Sequence, residues 1–299
     1  LVKIVRDIIK VQSVKKKIYH SDIGYIKIRS FSKNTSSDLD KALSYLRNKN
    51  ITKLILDVRN NPGGLLNQAV EVTDRFLGNE NLIVYTKGRM EDQNSRFTTH
   101  EKIKHVEYPM IILVNGGSAS ASEIVAGALQ DLGRAVILGT PTFGKGSVQT
   151  IMPLSDGSAL RLTTARYYTP SGKIIQENGI TPDIIIENQP LPTITKEIKE
   201  DGKNPTKKEK IRRFLRERDL KKHLKGKTSI EGSEKHNQKK PTLNVDGKHL
   251  SEPEKGLDKD AQLRHAVSLL SGWDIIAETI NPHKQMDKSS HLNLDNLNR

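Results

Sequence analysis

Three serines, Ser118, Ser120 and Ser122, alternate with small residues directly after the glycine pair Gly116-Gly117. The apolar run Met110 to Val114 before them has strand length. Ile124, Val125, Ala128 and Leu129 after them recur at helical spacing, so the serines fall on a sharp strand-to-helix turn. A hydroxyl at such a turn stands at the end of a sheet, beside the unpaired N–H groups of a helix start that favour negative charge. Nucleophilic attack is the chemistry this setting suits. The same residues also suit ordinary turn and N-cap duty, so the turn alone leaves both readings open.

A second candidate lies in Gly139-Thr-Pro-Thr-Phe-Gly-Lys-Gly-Ser147. Gly139 followed by four residues and then Gly144-Lys145 matches most of a phosphate-binding loop. However, Gly146 occupies the place of the metal-binding Ser or Thr, and Ser147 to Met152 is strand-like where a helix is required. Nucleotide binding is therefore not expected. Lys145 reads either as a solvated loop lysine or as a general base. The second role asks for an amine kept neutral by burial away from carboxylates, and the flanking glycines would let the backbone bring it against another group. Asn61-Pro-Gly-Gly64 is a turn by every local signal, yet it can also offer a backbone N–H to an oxyanion, with a second supplied by the residue after the nucleophile. Loops at the carboxyl ends of neighbouring parallel strands converge, so the three turns can meet at one site.

Periodicity supplies the framework on which these turns are mounted. Strands are expected at Gly24 to Arg29, Lys53 to Arg59, Leu82 to Tyr85, Met110 to Val114 and Arg134 to Leu138, with helices over about 37–48 and from Leu65 to near Gly78. Alternation of strand and helix to residue 138 predicts an α/β fold with a mostly parallel sheet core flanked by helices. Val148 to Leu154, Ala159 to Tyr168 and Ile184 to Ile186 add antiparallel strands. The polar segment Lys87 to Val106 reads as a surface excursion. Beyond residue 188 Lys, Glu, Arg, Asn and Pro dominate, with one helical stretch at Lys207 to Leu224. Leu263, Ala266, Val267, Leu269, Leu270 and Trp273 then repeat as a small docking helix.

Composition narrows the function classes. The 299-residue chain carries a formal charge of +14 and no cysteine, so disulfides, thiolate metal sites and a cysteine nucleophile are excluded. No run approaches the roughly 18 apolar residues of a membrane span. The basic stretch Lys196 to Lys225 mixes in acidic residues and few aromatics, which fits a solvated segment better than a nucleic-acid site. Ser30 and Lys33 have a penicillin-binding spacing outside any helix. His100, Glu101 and His105 miss the zinc-protease spacing by one residue. The chain opens on Leu1, mid-domain in character, so a missing N-terminus with an export signal is expected.

Five ordered motifs carry a resemblance: Leu56-Asp-Val-Arg-Asn-Asn-Pro-Gly-Gly-Leu65, Gly117-Ser-Ala-Ser-Ala-Ser-Glu-Ile124, Gly133-Arg-Ala135, Gly139-Thr-Pro-Thr-Phe-Gly-Lys-Gly-Ser-Val-Gln149 and Gly179-Ile-Thr-Pro-Asp183. Together they resemble the carboxyl-terminal processing (tail-specific) proteases. The resemblance implies a serine endopeptidase of Ser-Lys type acting from or near the C-termini of proteins. Ser120 would be the nucleophile, Lys145 the base, Gln149 the residue orienting the lysine, and Ala121 with Gly63 or Gly64 the oxyanion donors. Some members have a catalytic acid at the position of Asp131, which here reads as the end of a helix. No cofactor, metal or nucleic acid is implied. Partners would be proteins or peptides with accessible C-termini, in the periplasm or cell envelope. Self-association, and membrane attachment through the missing N-terminal segment, are left open. A non-catalytic peptide-binding relative using the same cleft is the alternative. The expected organisation is the end of a truncated PDZ domain at 1–17, a protease core at 18–188, a charged flexible segment at 189–259, a docking helix at 260–280 and a disordered tail at 281–299.

Overall fold

The computed structural model describes residues 12–78, 80–100, 108–187, 216–220, 257 and 260–280. Its main sheet has six strands in the order β1 (Val14–Tyr19), β2 (Ile23–Ile28), β3 (Lys53–Asp57), β6 (Met110–Val114), β7 (Val136–Gly139) and β10 (Ile184–Ile185). The β1–β2 pair is antiparallel and every later pair is parallel. All five residues of β3 and all five of β6 are buried, as expected of central strands covered on both faces.

Three helices cover one face: α1 (Thr35–Arg47), α2 (Leu66–Asp74) and α3 (Ala121–Asp131). Their apolar stripes, Leu39, Leu43 and Leu46, then Ala69 and Val72, then Ile124, Val125 and Ala128, meet Ile26, Leu54, Leu56, Ile112 and Val114 in one core. Alternate residues of the same strands, Ile23, Tyr25, Ile55, Ile111 and Leu113, point to the other face. There they are covered by α4 (Ala261–Ser271) through Leu263, Ala266, Val267 and Leu270, with Leu257 beside them. The short α5 (Trp273–Ile280) follows, tied by Asp274 to the buried Lys53 at 2.8 Å.

A second, antiparallel sheet runs β5 (Ser95–Thr98), β4 (Leu82–Gly88), β9 (Ala159–Tyr168) and β8 (Ser147–Pro153). The segment Lys87 to Val106, expected as a surface excursion, thus contains a strand. Ser95 and Arg96 are exposed, so no apolar alternation marks β5, and pairing with β4 holds it. The boundary expected between residues 17 and 18 falls inside β1, which pairs with β2 along its whole length. Of the helix expected at Lys207 to Leu224, the described residues 216–220 contain one 3₁₀ turn, Glu217–Asp219. His105 and the expected segments over 1–11, 221–256 and 281–299 lie outside the described residues.

Candidate active site

At the carboxyl ends of β3, β6 and β7 the three turns come together. Ser118 donates to Val58 O (2.8 Å) and Ser122 to Asn61 O (2.9 Å), while Ala119 N–H also donates to Asn61 O (3.0 Å). Both serines are fully buried, and both hydroxyls serve to clamp the β6–α3 turn onto the β3–α2 turn. Ser120, between them, is half-buried, and among the described residues its hydroxyl is engaged by no other element. Its backbone has φ 55° and ψ −112°, a conformation that costs a non-glycine residue about 1–3 kcal/mol. A strand-to-helix elbow is therefore built without the Gly-x-Ser-x-Gly sequence, with inward-facing Ser118 and Ser122 as the small flanking residues.

Glu123 accounts for how the strain is held. Its carboxylate is wholly buried and accepts four hydrogen bonds. Oε2 takes Ser120 N–H (2.7 Å) and Lys145 N–H (2.9 Å), and Oε1 takes Thr142 Oγ1–H (2.6 Å) and Gly144 N–H (2.7 Å). Because Thr142 Oγ1 already accepts from Ile180 N–H (2.7 Å), its proton is committed to Glu123. One carboxylate thus joins the backbone of Ser120 to that of Lys145 across two turns. Burial pushes its pKa up to about 7 against the pull of these bonds. Sequence reasoning assigned Glu123 no role, although the Ser120-x-x-Glu123 spacing is that of a capping box and could have drawn attention to it.

Lys145 is half-buried, and among the described residues its amine forms no ion pair or hydrogen bond. Gln149 is exposed on β8, beyond a register shift that follows Val148, and its side chain is likewise unpaired among the described residues. The structure thus brings the two backbone segments together while leaving Ser120, Lys145 and Gln149 without side-chain bonds to one another. Gly63 N–H is taken by Asn61 Oδ1 (2.9 Å). Gly64 N–H and Ala121 N–H, by contrast, have no partner among the described residues. From further along the chain, Glu217 N–H donates to Phe143 O (3.0 Å), two residues before Lys145.

The remaining candidates separate. A strand, β8, succeeds Lys145, so the phosphate-loop geometry is absent. Ser30 and Lys33 sit on the loop between β2 and α1. Asp131 closes α3 and binds Lys173 Nζ and Ser171 N–H, each at 3.0 Å. Ten residues of helix, about 15 Å, separate it from the start of α3. Although burial would raise the Asp131 carboxyl, bonds to Ser171, Thr169 and Lys173 hold it below its usual range. Among the described residues no group of three or more acidic or histidine side chains is placed to hold a metal.

Close approach at Gly63 gives a first test. At φ 100°, an added Cβ would lie 2.7 Å from Ala119 O and 2.9 Å from Ser120 Cβ. Gly133 has φ 62° but open space around it. Gly63→Ala is expected to lower stability by more than the roughly 1–3 kcal/mol of backbone strain that Gly133→Ala incurs. Denaturant midpoints check this, and equal losses would show that the contact with Ser120 is slack.

Fold and turns together define a parallel-sheet α/β protein that presents one strained serine where three loops meet. The sequence profile of peptidase family S41 matches residues 22–186, and the chain belongs to that family. It is 52% identical over 230 residues to a carboxy-terminal-processing protease of Bartonella bacilliformis, covering 76% of this chain and 49% of the relative. To the chloroplastic carboxyl-terminal-processing peptidase 3 of Arabidopsis thaliana it is 39% identical over 213 residues, covering 67% and 40%. Among solved structures, a photosystem II D1 C-terminal processing protease superposes with TM-score 0.55 at 33% identity, over 62% of this chain and 50% of that one. The chain thus spans about half the length, or less, of these relatives.

Proposed function

We propose that the chain carries the catalytic core of a serine endopeptidase of Ser-Lys type that processes proteins from or near their C-termini. The observation that carries this reading is the shared carboxylate of Glu123, which sets a strained, partly exposed Ser120 and the Lys145 loop in one frame. Ser120 Oγ attacks the peptide carbonyl carbon while Lys145 Nζ takes its proton. The tetrahedral oxyanion is held by the backbone N–H groups of Ala121 and Gly64, since that of Gly63 is already engaged. Lys145 then protonates the leaving amine, and water hydrolyses the acyl-enzyme. Closure of the lysine onto the serine accompanies substrate binding, with Gln149 steadying the amine.

Protein substrates suit the surroundings. β8 begins two residues after Lys145 and, among the described residues, is an edge strand paired only with β9. Its free edge can take an extended peptide by backbone hydrogen bonding. The names of the relatives support C-terminal processing, and their bacterial and chloroplast origins support work outside the cytoplasm, in the periplasm or cell envelope.

Labelling with a fluorophosphonate tests the assignment directly. The expected result is one adduct, on Ser120, read by peptide mass. A chain that cleaves protein while labelled at another residue, or not at all, would overturn the reading.

A further inference from the structure

Arg59 immediately precedes the Asn60-Asn61-Pro62-Gly63-Gly64 turn, and its side chain is almost completely buried, at 7% exposure. It lies between two carboxylates. On one side is Asp57, the last residue of β3 and itself fully buried, which accepts from Arg59 Nε (3.1 Å), Nη2 (2.8 Å) and backbone N–H (2.9 Å). On the other is Asp260, 201 residues away, which accepts from Nη1 (2.7 Å) and Nη2 (2.8 Å). Gln262 Oε1 also accepts from Nη1 (3.0 Å), and Gln262 Nε2 donates to Ile186 O (2.7 Å), beside β10. Lys27 Nζ and Tyr25 OH complete the Asp57 shell at 3.2 and 2.7 Å. Burial would raise the Asp57 carboxyl, but Arg59, Lys27 and Tyr25 keep it below its usual range.

This arrangement is more than helix docking requires. The apolar contacts of Leu263, Ala266, Val267 and Leu270 would seat α4 without any ion pair. A bidentate guanidinium–carboxylate pair adds direction, fixing the angle at which Arg59 leaves the sheet. Directly after Arg59 the chain enters the turn with Asn60 at φ 57° and Gly64 at φ 148°, which packs against the nucleophile turn.

We propose that Arg59 and Asp260 are positioning residues, through which the seated C-terminal helix α4 holds the Asn60–Gly64 turn in the register that presents an oxyanion donor beside Ser120. The inference rests on Ser120 being the nucleophile. It adds that a segment beyond the matched family region is a working part of the active site. With α4 unseated, the guanidinium keeps only Asp57 and the turn loses its second anchor.

Asp260→Asn is the informative variant, because asparagine retains the N-cap acceptor used by Leu263 N–H (3.1 Å) while removing the charge. In the full chain, the expected result is a fall in kcat of about tenfold, a fraction of the 10²–10³ lost with a whole oxyanion donor. KM should change less than twofold. Amide exchange should quicken at residues 60–64 while α4 stays protected, and Asp260→Glu should recover most of the rate. Wild-type kcat in Asp260→Asn, or faster exchange confined to α4, would overturn the proposal. Ser120→Ala run in parallel separates the two claims: undiminished cleavage there removes the nucleophile reading, whereas a dead Ser120→Ala beside a fully active Asp260→Asn removes only this one.

Discussion

Ser120→Ala and Lys145→Ala should each abolish cleavage of a disordered protein substrate, by at least about 10⁴-fold, while the protein stays folded. Groups that act as one unit lose nearly everything when any member is removed, so the double variant should be scarcely worse than either single one. Neither loss should reflect unfolding. Among the described residues the Ser120 hydroxyl holds no other element in place, and the ties of Lys145 run through its backbone N–H, which alanine keeps. Ser118→Ala and Ser122→Ala make the contrast: each deletes a fully buried hydroxyl bonded to the neighbouring turn, and each should lower stability by about 1 kcal/mol. Rates on the substrate, with thermal midpoints beside them, decide the matter. A Lys145→Ala protein that cuts at the wild-type rate would remove the lysine from the mechanism.

Glu123→Gln is expected to reduce kcat on the order of a hundredfold, the scale of a reacting group misplaced by about 1 Å. Either orientation of the new amide turns its NH₂ toward two donors, Ser120 and Lys145 on one side or Thr142 and Gly144 on the other. The wild-type residue yields a matching pH dependence. Protonation puts an O–H where only donors face it, so activity should fall as pH drops through about 7. Stability moves the opposite way. A carboxyl raised from its ordinary 4.5 to about 7 binds its proton more tightly folded than unfolded, so its contribution is full below 4.5 and is lost as pH rises through about 7. Acidification from about pH 8 to 6 should therefore slow the enzyme without lowering its melting temperature, and should slow it by a larger factor than it slows Glu123→Gln. If activity and melting temperature decline together, partial unfolding explains the pH profile and positioning does not.

Much of this architecture was legible in the sequence, for identifiable reasons. Met110 to Val114 and Lys53 to Asp57 announce buried strands because both faces need apolar residues, and the glycine pairs after them mark the turns that meet. The stripe from Leu263 to Leu270 signalled a docked helix, though not what it docks on. Where side chains face water on both sides, as at Ser95 and Arg96, the pattern vanished and β5 went unread. The capping-box spacing at Glu123 went unread, and its bonds to Thr142, Gly144 and Lys145 arise only once β7 lies beside β6. Arg59 and Asp260 show the same limit over a longer distance: two charges 201 positions apart carry no periodic mark.

The order in which the layers are written along the chain bears on how the molecule comes into being. Helices α1 to α3 are interleaved with the strands they cover, so that half of the sandwich can close as it is synthesised. The other half waits for α4, whose first residue lies more than seventy positions beyond β10, the last strand among the described residues. Until then Ile23, Tyr25, Ile55, Ile111 and Leu113 lack the cover that α4 gives them, and apolar surface left open during synthesis invites chaperones and aggregation. A nascent chain stalled before residue 260 would thus lack both the cover of that face and the carboxylate of Asp260 that grips Arg59 ahead of the Asn60–Gly64 turn.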